Sequence, residues 1–412
     1  MQQTTQAYPK QKLAIVVPEM LPVPPVQGGA VEHWVHEVSK RLNQAKFELT
    51  IVSRPANAQG VDGLSYQGIA WQRLDRFFYA LKERLSKSNP LRHVCKIQNV
   101  ASYGWCMAKI VRDADLVVIH NEPNLLLFLK KNPSQKVILH MHNEHLSIRL
   151  FRPLYRRALK NVDEIVCVSD YICRSAVQHF PEYADKFTVV FNATDPQTFM
   201  PYGQQAIEQL QDKVAIEEDK IYLLYVGRLS AVKGVHVLIE SFQQLHQLMP
   251  NARLIIAGSS FFEGAAKTDY EASLVTLAKP VSHAIVFTGY IPHAQLKYLY
   301  AAVDMVVMPS VWQDPCPLVV LEAMASGTCL IATSVGGVPE VLEHQINGWL
   351  VPPDDVNALT KAMYELAINP ALRAKLSQCA RDKILLNYDW SRLVAELEVS
   401  FTQIKKINLI KS

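Results

Sequence analysis

Two carboxylates, Asp314 and Glu322, stand eight positions apart in the segment PSVWQDPCPLVVLEAMASG, residues 309–327. Between them the chain passes from a Pro-rich turn into a helix start. The first carboxylate is therefore expected in a loop above a strand end, and the second on the first turns of the next helix. Leu318 and Val319, at that helix start, would offer free backbone N–H groups. Two acceptors and an open helix N-terminus suit a molecule with sugar hydroxyls at one end and a phosphate in the middle.

A second segment adds positive charge. Gly227-Arg228-Leu229-Ser230-Ala231-Val232-Lys233-Gly234 follows a predicted strand and precedes a predicted helix. Arg228 and Lys233 on such a loop, beside a helix N-terminus, form a cradle for a diphosphate. An ordinary solvated loop carries the same two cations. What favours a site is the placement of Asp314 and Glu322 at another strand end of the same sheet.

Three further clusters carry polar groups that could do chemistry. The Pro-rich loop from Pro18 closes on Gly28 and Gly29, which allow close backbone approach to an anion; a structural turn explains them equally well. No GxGxxG fingerprint is present. His140, His142, Glu144 and His145 follow a strand, and His140 and His142 would share a face. They lack the HExxH spacing, so the expectation is no metal, with one of these histidines contacting a substrate hydroxyl and the others ordinary polar residues. Asp113-Ala114-Asp115 has the DxD form that holds a metal in other sugar transferases. It leads into a buried strand, at the wrong end for a cleft at strand C-termini, and reads as structural.

The segment from Arg149 to Lys160 carries five cations among apolar residues. It suits an anionic lipid surface, with a plain basic helix as equal competitor. No base-stacking platform accompanies it, so nucleic acid is not an expected partner. Residues 1–200 hold 25 Lys and Arg against 17 Asp and Glu, so the first half is the one to meet an anionic partner.

The elements that must position these groups are strand-like apolar runs alternating with helical periods. Leu13–Val17, Leu49–Val52, Leu116–Ile119, Val137–Leu139 and Ile165–Val168 predict one parallel sheet covered on both faces. Ile221–Val226, Leu254–Ala257, Ile285–Phe287, Met305–Met308 and Leu330–Ala332 predict another. The 412 residues suit two domains, 1–200 and 201–388, with 389–412 a helix returning toward the first. Residues 196–218 read as polar and irregular, with the linker among them. The fold class is α/β, two Rossmann-like domains facing across a cleft, with ligands at the strand C-termini. No apolar run approaches the roughly 18 residues that span a bilayer. The polar start lacks the core of a secretory signal. Seven cysteines without CxxC pairing read as reduced thiols in a cytosolic protein.

Taken together, Gly28-Gly29, His142 after a strand, Asn192 to Phe199, Arg228 to Gly234 and the Asp314/Glu322 region resemble the retaining family 4 glycosyltransferases of the GT-B fold. Ala30 to Trp34, Val118 to Asn121 and Leu139 to Asn143 resemble, more narrowly, lipopolysaccharide core N-acetylglucosaminyltransferases. The resemblance implies that Arg228 and Lys233 hold the donor diphosphate, that Glu322 bonds the ribose, and that the first acidic position faces the donor sugar. His142 would lie near that sugar. The family usually has Glu where this chain has Asp314, one methylene shorter.

The expectation is a metal-independent, retaining hexosyltransferase without a cofactor. It would move a hexose or N-acetylhexosamine, with UDP-GlcNAc or UDP-Glc the expected donors, to a lipopolysaccharide core or related surface-glycan acceptor. Its candidate catalytic residues are His142, Asp314, Arg228 and Lys233. Gly28, Gly29, Arg228, Lys233, Glu322, Leu318 and Val319 would bind the donor. It would sit in the cytoplasm, peripheral to the inner membrane. A nucleotide-sugar epimerase of similar fold and a non-catalytic glycan-binding or coat-assembly protein are the rivals.

Overall fold

The structure is a computed structural model. It describes residues 9–25, 29–56, 64–85, 91–148, 151–210, 214, 216–259 and 268–402. The chain forms two compact units. One comprises Met1–Val168, Ile172–Val190 and Leu393–Ser412, and the other Ser169–Tyr171 and Phe191–Arg392.

The first unit is built on seven parallel strands: β1 (Gln11–Val16), β2 (Phe47–Ser53), β3 (Ser65–Gly68), β4 (Leu116–His120), β5 (Lys136–Met141), β6 (Glu164–Cys167) and β7 (Phe187–Val189). Their order is β3-β2-β1-β4-β5-β6-β7. The central strands are near-continuous Val, Leu and Ile, because helices cover both faces and nearly every side chain is buried. In β4, all five residues are buried. The chain order reverses at β1, which pairs with both β2 and β4. Such a switch point opens a crevice beyond the strand C-termini. The helix Ala30–Arg41 follows β1 there, burying Trp34, Val35 and Val38.

The second unit holds six parallel strands: β8 (Ile221–Val226), β9 (Ala252–Ala257), β10 (Ile285–Gly289), β11 (Met305–Met308), β12 (Cys329–Thr333) and β13 (Trp349–Val351). Their order is β10-β9-β8-β11-β12-β13, with the switch at β8 and β11. Leu223, Ile256, Val307 and Ile331 face one apolar layer, and Leu224, Ile255, Val306 and Leu330 face the other. Alternation of this kind follows from the period-2 placement of strand side chains.

The two parallel sheets are those the apolar runs predict. Missing from that reading are β3, β7 and β13, each of four residues or fewer and each at a sheet edge. Edge strands are half-solvated, so they lack the unbroken apolar run that marks a central strand. Residues 196–218 also differ from expectation, since they contain the helix Gln204–Leu210. The last helix, Trp390–Thr402, contributes Leu393 onward to the first unit. There Glu398 accepts the Asn43 N–H at 3.0 Å and pairs with Lys46 at 2.7 Å, and Phe401 meets Phe47 edge-on.

Candidate functional site

The second unit gathers its polar groups at the β8/β11 switch. After β8 a short turn, Ala231–Lys233, leads through Gly234 into the helix Val235–Leu248. Gly234 has φ 68°, and a Cβ there would come within 1.9 Å of the Pro309 carbonyl oxygen, so only glycine fits. This close approach brings the loop after β8 against the loop after β11. The Val232 carbonyl accepts the N–H groups of Val311 at 3.1 Å and Trp312 at 3.2 Å. In consequence, Lys233 Nζ pairs with Asp314 Oδ2 and stands 5.5 Å from the Trp312 ring centroid. Arg228 is exposed. Its carbonyl accepts the Tyr225 hydroxyl at 2.8 Å, anchoring the turn from beneath. Burial raises the Tyr225 phenol, which keeps it a donor.

The loop carrying Asp314 is braced from three directions. The Gly337 N–H donates to the Asp314 carbonyl at 2.9 Å, the Gly336 N–H to Gln313 Oε1 at 2.6 Å, and Asn192 Nδ2 to the Cys316 carbonyl at 2.9 Å. Burial pushes the Cys316 thiol up to about 12, so it stays protonated. The helix Leu318–Ala325 begins after Pro317, with Leu318 and Val319 in its first turn. Glu322 is buried, and both its oxygens have partners. His293 Nε2 donates to Oε1 at 2.7 Å and the Tyr300 hydroxyl to Oε2 at 2.9 Å. Burial, together with the Glu322 charge, raises the Tyr300 phenol.

In the first unit, Gly28 lies outside the described residues. Gly29 caps the helix Ala30–Arg41 with φ 108°, and a Cβ there would meet Glu32 Oε2 at 2.2 Å. The space the glycine leaves is thus filled by a carboxylate of the helix itself. Burial raises the Glu32 pKa.

His142 follows β5 and is buried. His120 pairs in register with His140, and His142 is two residues further along, so the three rings share one sheet face. Trp34 packs over them at centroid distances of 5.2, 4.6 and 5.2 Å from His120, His140 and His142. Burial holds His142 down to about 3, and burial with neighbouring imidazoles holds His120 and His140 well below the ordinary value. All three are therefore neutral near pH 7. Their ring nitrogens lie within 4.8 Å of one another, a spacing from which a metal ion could be gathered. His145 is turned to the Asn121 carbonyl at 2.6 Å.

Asp115 lies at the other end of the sheet. Its Oδ2 accepts the Lys12 N–H at 2.8 Å, at the start of β1. The basic segment forms the helix Arg152–Leu159; Arg149 lies outside the described residues. A groove of about 480 Å³ is lined by Pro153, Arg156, Arg157, Lys160 and Asn161.

Sequence reasoning gave no role in the site to His120, Trp34, His293 or Tyr300. For His120 a signal existed, since β4 and β5 both run into His-Asn pairs, His120-Asn121 and His142-Asn143. For His293 and Tyr300 none did, because they reach Glu322 from a helix 29 and 22 positions earlier.

Residues 28–198 match the Glycosyltransferase Family 4 domain, and residues 206–383 match Glycosyl transferases group 1. The putative glycosyltransferase YtcC of Bacillus subtilis is 29% identical over 404 residues, covering 95% of this chain and 92% of that protein. The lipopolysaccharide 1,2-N-acetylglucosaminetransferase of Salmonella typhimurium is 25% identical, covering 94% and 97%. The Anabaena protein HepE, solved in complex with UDP and glucose, has the same fold at a TM-score of 0.74. The sequences there are 17% identical over 95% of this chain and 99% of that one. The chain is accordingly a glycosyltransferase of the GT-B type, a Glycosyltransferase Family 4 region followed by a Glycosyl transferases group 1 region.

Proposed function

We propose that this chain moves a hexose or N-acetylhexosamine from a nucleotide diphosphate sugar to a lipopolysaccharide core or related surface glycan, with retention and without a metal. UDP-GlcNAc and UDP-Glc are the favoured donors. The observation that carries the reading is the Lys233–Asp314 ion pair at the β8/β11 switch of one sheet, with Arg228 on the loop after β8 and Glu322 on the helix after β11. The difficult part of the chemistry is charge building on the departing diphosphate. Arg228, Lys233 and the helix N-termini at Val235 and Leu318 would offset it as it develops. Glu322 would take the ribose, Asp314 the donor sugar hydroxyls, and His142 the same sugar. Front-face attack by the acceptor hydroxyl then needs no covalent enzyme intermediate.

Support for a UDP-sugar comes from HepE, whose complex holds UDP and glucose. Support for a lipopolysaccharide acceptor comes from the Salmonella transferase, which aligns with nearly the whole chain. Peripheral attachment at the cytoplasmic face of the inner membrane is assigned to the helix Arg152–Leu159. Arg157 and Lys160 are exposed beside Leu154, which is 40% exposed, so cations adjoin an apolar contact. Among the described residues, no helix is long and apolar enough to cross a membrane.

A donor panel tests the reading. UDP-, GDP- and ADP-sugars are offered to the purified protein with and without a truncated lipopolysaccharide acceptor. Transfer from a UDP-sugar with the anomeric configuration kept supports it. Donor conversion at full rate without acceptor points to an epimerase, and absence of donor binding to a non-catalytic protein.

A further inference from the structure

His142 is held at a ring atom, on a ring face and through its backbone. His142 Nε2 shares a hydrogen bond of 2.9 Å with His120 Nδ1. With Nε2 engaged, Nδ1 is the ring nitrogen left for a substrate. The ring face lies against His140, 4.6 Å away and 12° from parallel, while Trp34 closes the cluster edge-on. The backbone is set by Asn121. This residue has φ 55°, a left-handed conformation that asparagine tolerates better than most residues. Its N–H donates to the His140 carbonyl at 2.7 Å, and its Oδ1 accepts the N–H groups of His142 at 3.1 Å and Asn143 at 3.0 Å. The end of β4 thus grips the chain just where β5 releases it.

We propose that His120 and Asn121 are positioning residues for His142. His120 fixes which ring nitrogen of His142 faces the substrate, and Asn121 fixes the turn that carries the ring. Neither needs to touch the substrate. The proposal rests on the assignment of His142 to the donor sugar. The same three imidazoles have a competing use as cation ligands. Zinc would need a lone pair from each imidazole. Here His120 Nδ1 and His142 Nε2 bond each other at 2.9 Å, so the lone pair of that contact is spent on the hydrogen bond. The hydrogen-bonded arrangement is the one the geometry favours.

The test uses the full chain and four substitutions: His142→Ala, His120→Phe, His120→Asn and Asn121→Ala. Turnover, donor KM and binding of the free nucleoside diphosphate are measured for each. His120→Phe keeps a ring but loses the polar atom. It is expected to lower kcat by roughly 10- to 100-fold, the scale of a small misplacement of a reacting group. Nucleoside diphosphate binding should stay within about twofold, since that ligand lacks the transferred hexose that His142 would meet. His120→Asn places an amide atom where Nδ1 stood and should recover most of the loss. Asn121→Ala should lose turnover to a similar degree, which reads the proposal even where His120→Phe fails to fold. Inactive His142→Ala beside wild-type turnover in both His120→Phe and Asn121→Ala overturns the positioning role alone. Full activity in His142→Ala overturns the sugar assignment and the positioning role with it. One equivalent of Zn²⁺ bound by the wild type, required for activity and lost in His120→Asn, also overturns the proposal in favour of a metal centre.

Discussion

Lys233 Nζ is ion-paired with Asp314 Oδ2, joining the cation proposed for the donor diphosphate to the carboxylate proposed for the donor sugar. The Asp314 side chain is only 6% exposed and that of Lys233 21% exposed. Without donor, each therefore satisfies the other, and a diphosphate must share or displace Asp314 as it takes Lys233.

The two cations should consequently fail differently. Arg228→Ala and Lys233→Ala should each lower turnover by about 100-fold or more, the cost of removing one stabiliser of developing charge. Arg228 is exposed, so its loss should leave stability within about 0.5 kcal/mol. Lys233→Ala strands a buried carboxylate and should cost about 1–3 kcal/mol. Denaturant unfolding and steady-state kinetics on both variants check this. Equal stability in the two would show that the ion pair contributes nothing.

Glu322 and Asp314 should separate by ligand. Glu322→Gln should weaken free nucleoside diphosphate and intact donor alike, because both contain the ribose. It also disturbs the bonds from His293 and Tyr300. Asp314→Asn should leave nucleoside diphosphate binding nearly unchanged, since Lys233 is freed toward the phosphates, while turnover of the sugar donor falls. A charged hydrogen bond contributes about 1.5–3 kcal/mol, enough to read by calorimetry. Loss of nucleotide and donor binding in equal measure in Asp314→Asn would contradict this division.

Activity is expected to persist in EDTA, and Asp113→Ala should leave turnover intact. Asp113 closes a short turn before β4, and its neighbour Asp115 holds the start of β1, at the edge opposite His142. Loss of turnover in EDTA, restored by Mg²⁺ or Mn²⁺, would count against the metal-free reading.

Liposome binding should depend on charge and salt. Replacing Arg157 and Lys160 with Ser should weaken binding to anionic vesicles without changing stability, because both are exposed. Binding by the wild type should fall as salt rises, exposed charges being screened over about 8 Å at physiological ionic strength. Equal partitioning onto neutral and anionic vesicles would sink the membrane assignment.

Acid should destabilise the first unit through its histidines. Native His142 stays neutral down to about 3, whereas the unfolded imidazole takes a proton near 6.5. The unfolded state thus binds more protons, and stability falls as pH drops from about 6.5 toward 3. The slope is up to about 1.4 kcal/mol per pH unit for each such histidine. Urea unfolding at pH 7.5, 6 and 5 should show a shallower slope in His142→Asn than in the wild type. Parallel slopes would mean that the ring is not buried neutral.

The sequence by itself determined the two parallel sheets, because central strands covered on both faces must be unbroken apolar runs, as Leu116–Ile119 and Met305–Met308 are. It also determined which loops stand at strand C-termini, and so placed Arg228, Lys233, Asp314 and His142 at the C-terminal edges of the two sheets. Short edge strands such as Phe187–Val189 escaped it, since half-solvated segments carry no such run. Only the tertiary structure decided which loops meet. Lys233 reaches Asp314 across 81 positions because β8 and β11 are neighbours and Gly234 lets their loops touch. His120 reaches His142 because β4 lies beside β5 in a register that aligns His120 with His140. Local periodicity fixes the kind of element and the end at which a side chain emerges. Pairing between distant loops depends on strand order and register, which no local pattern encodes.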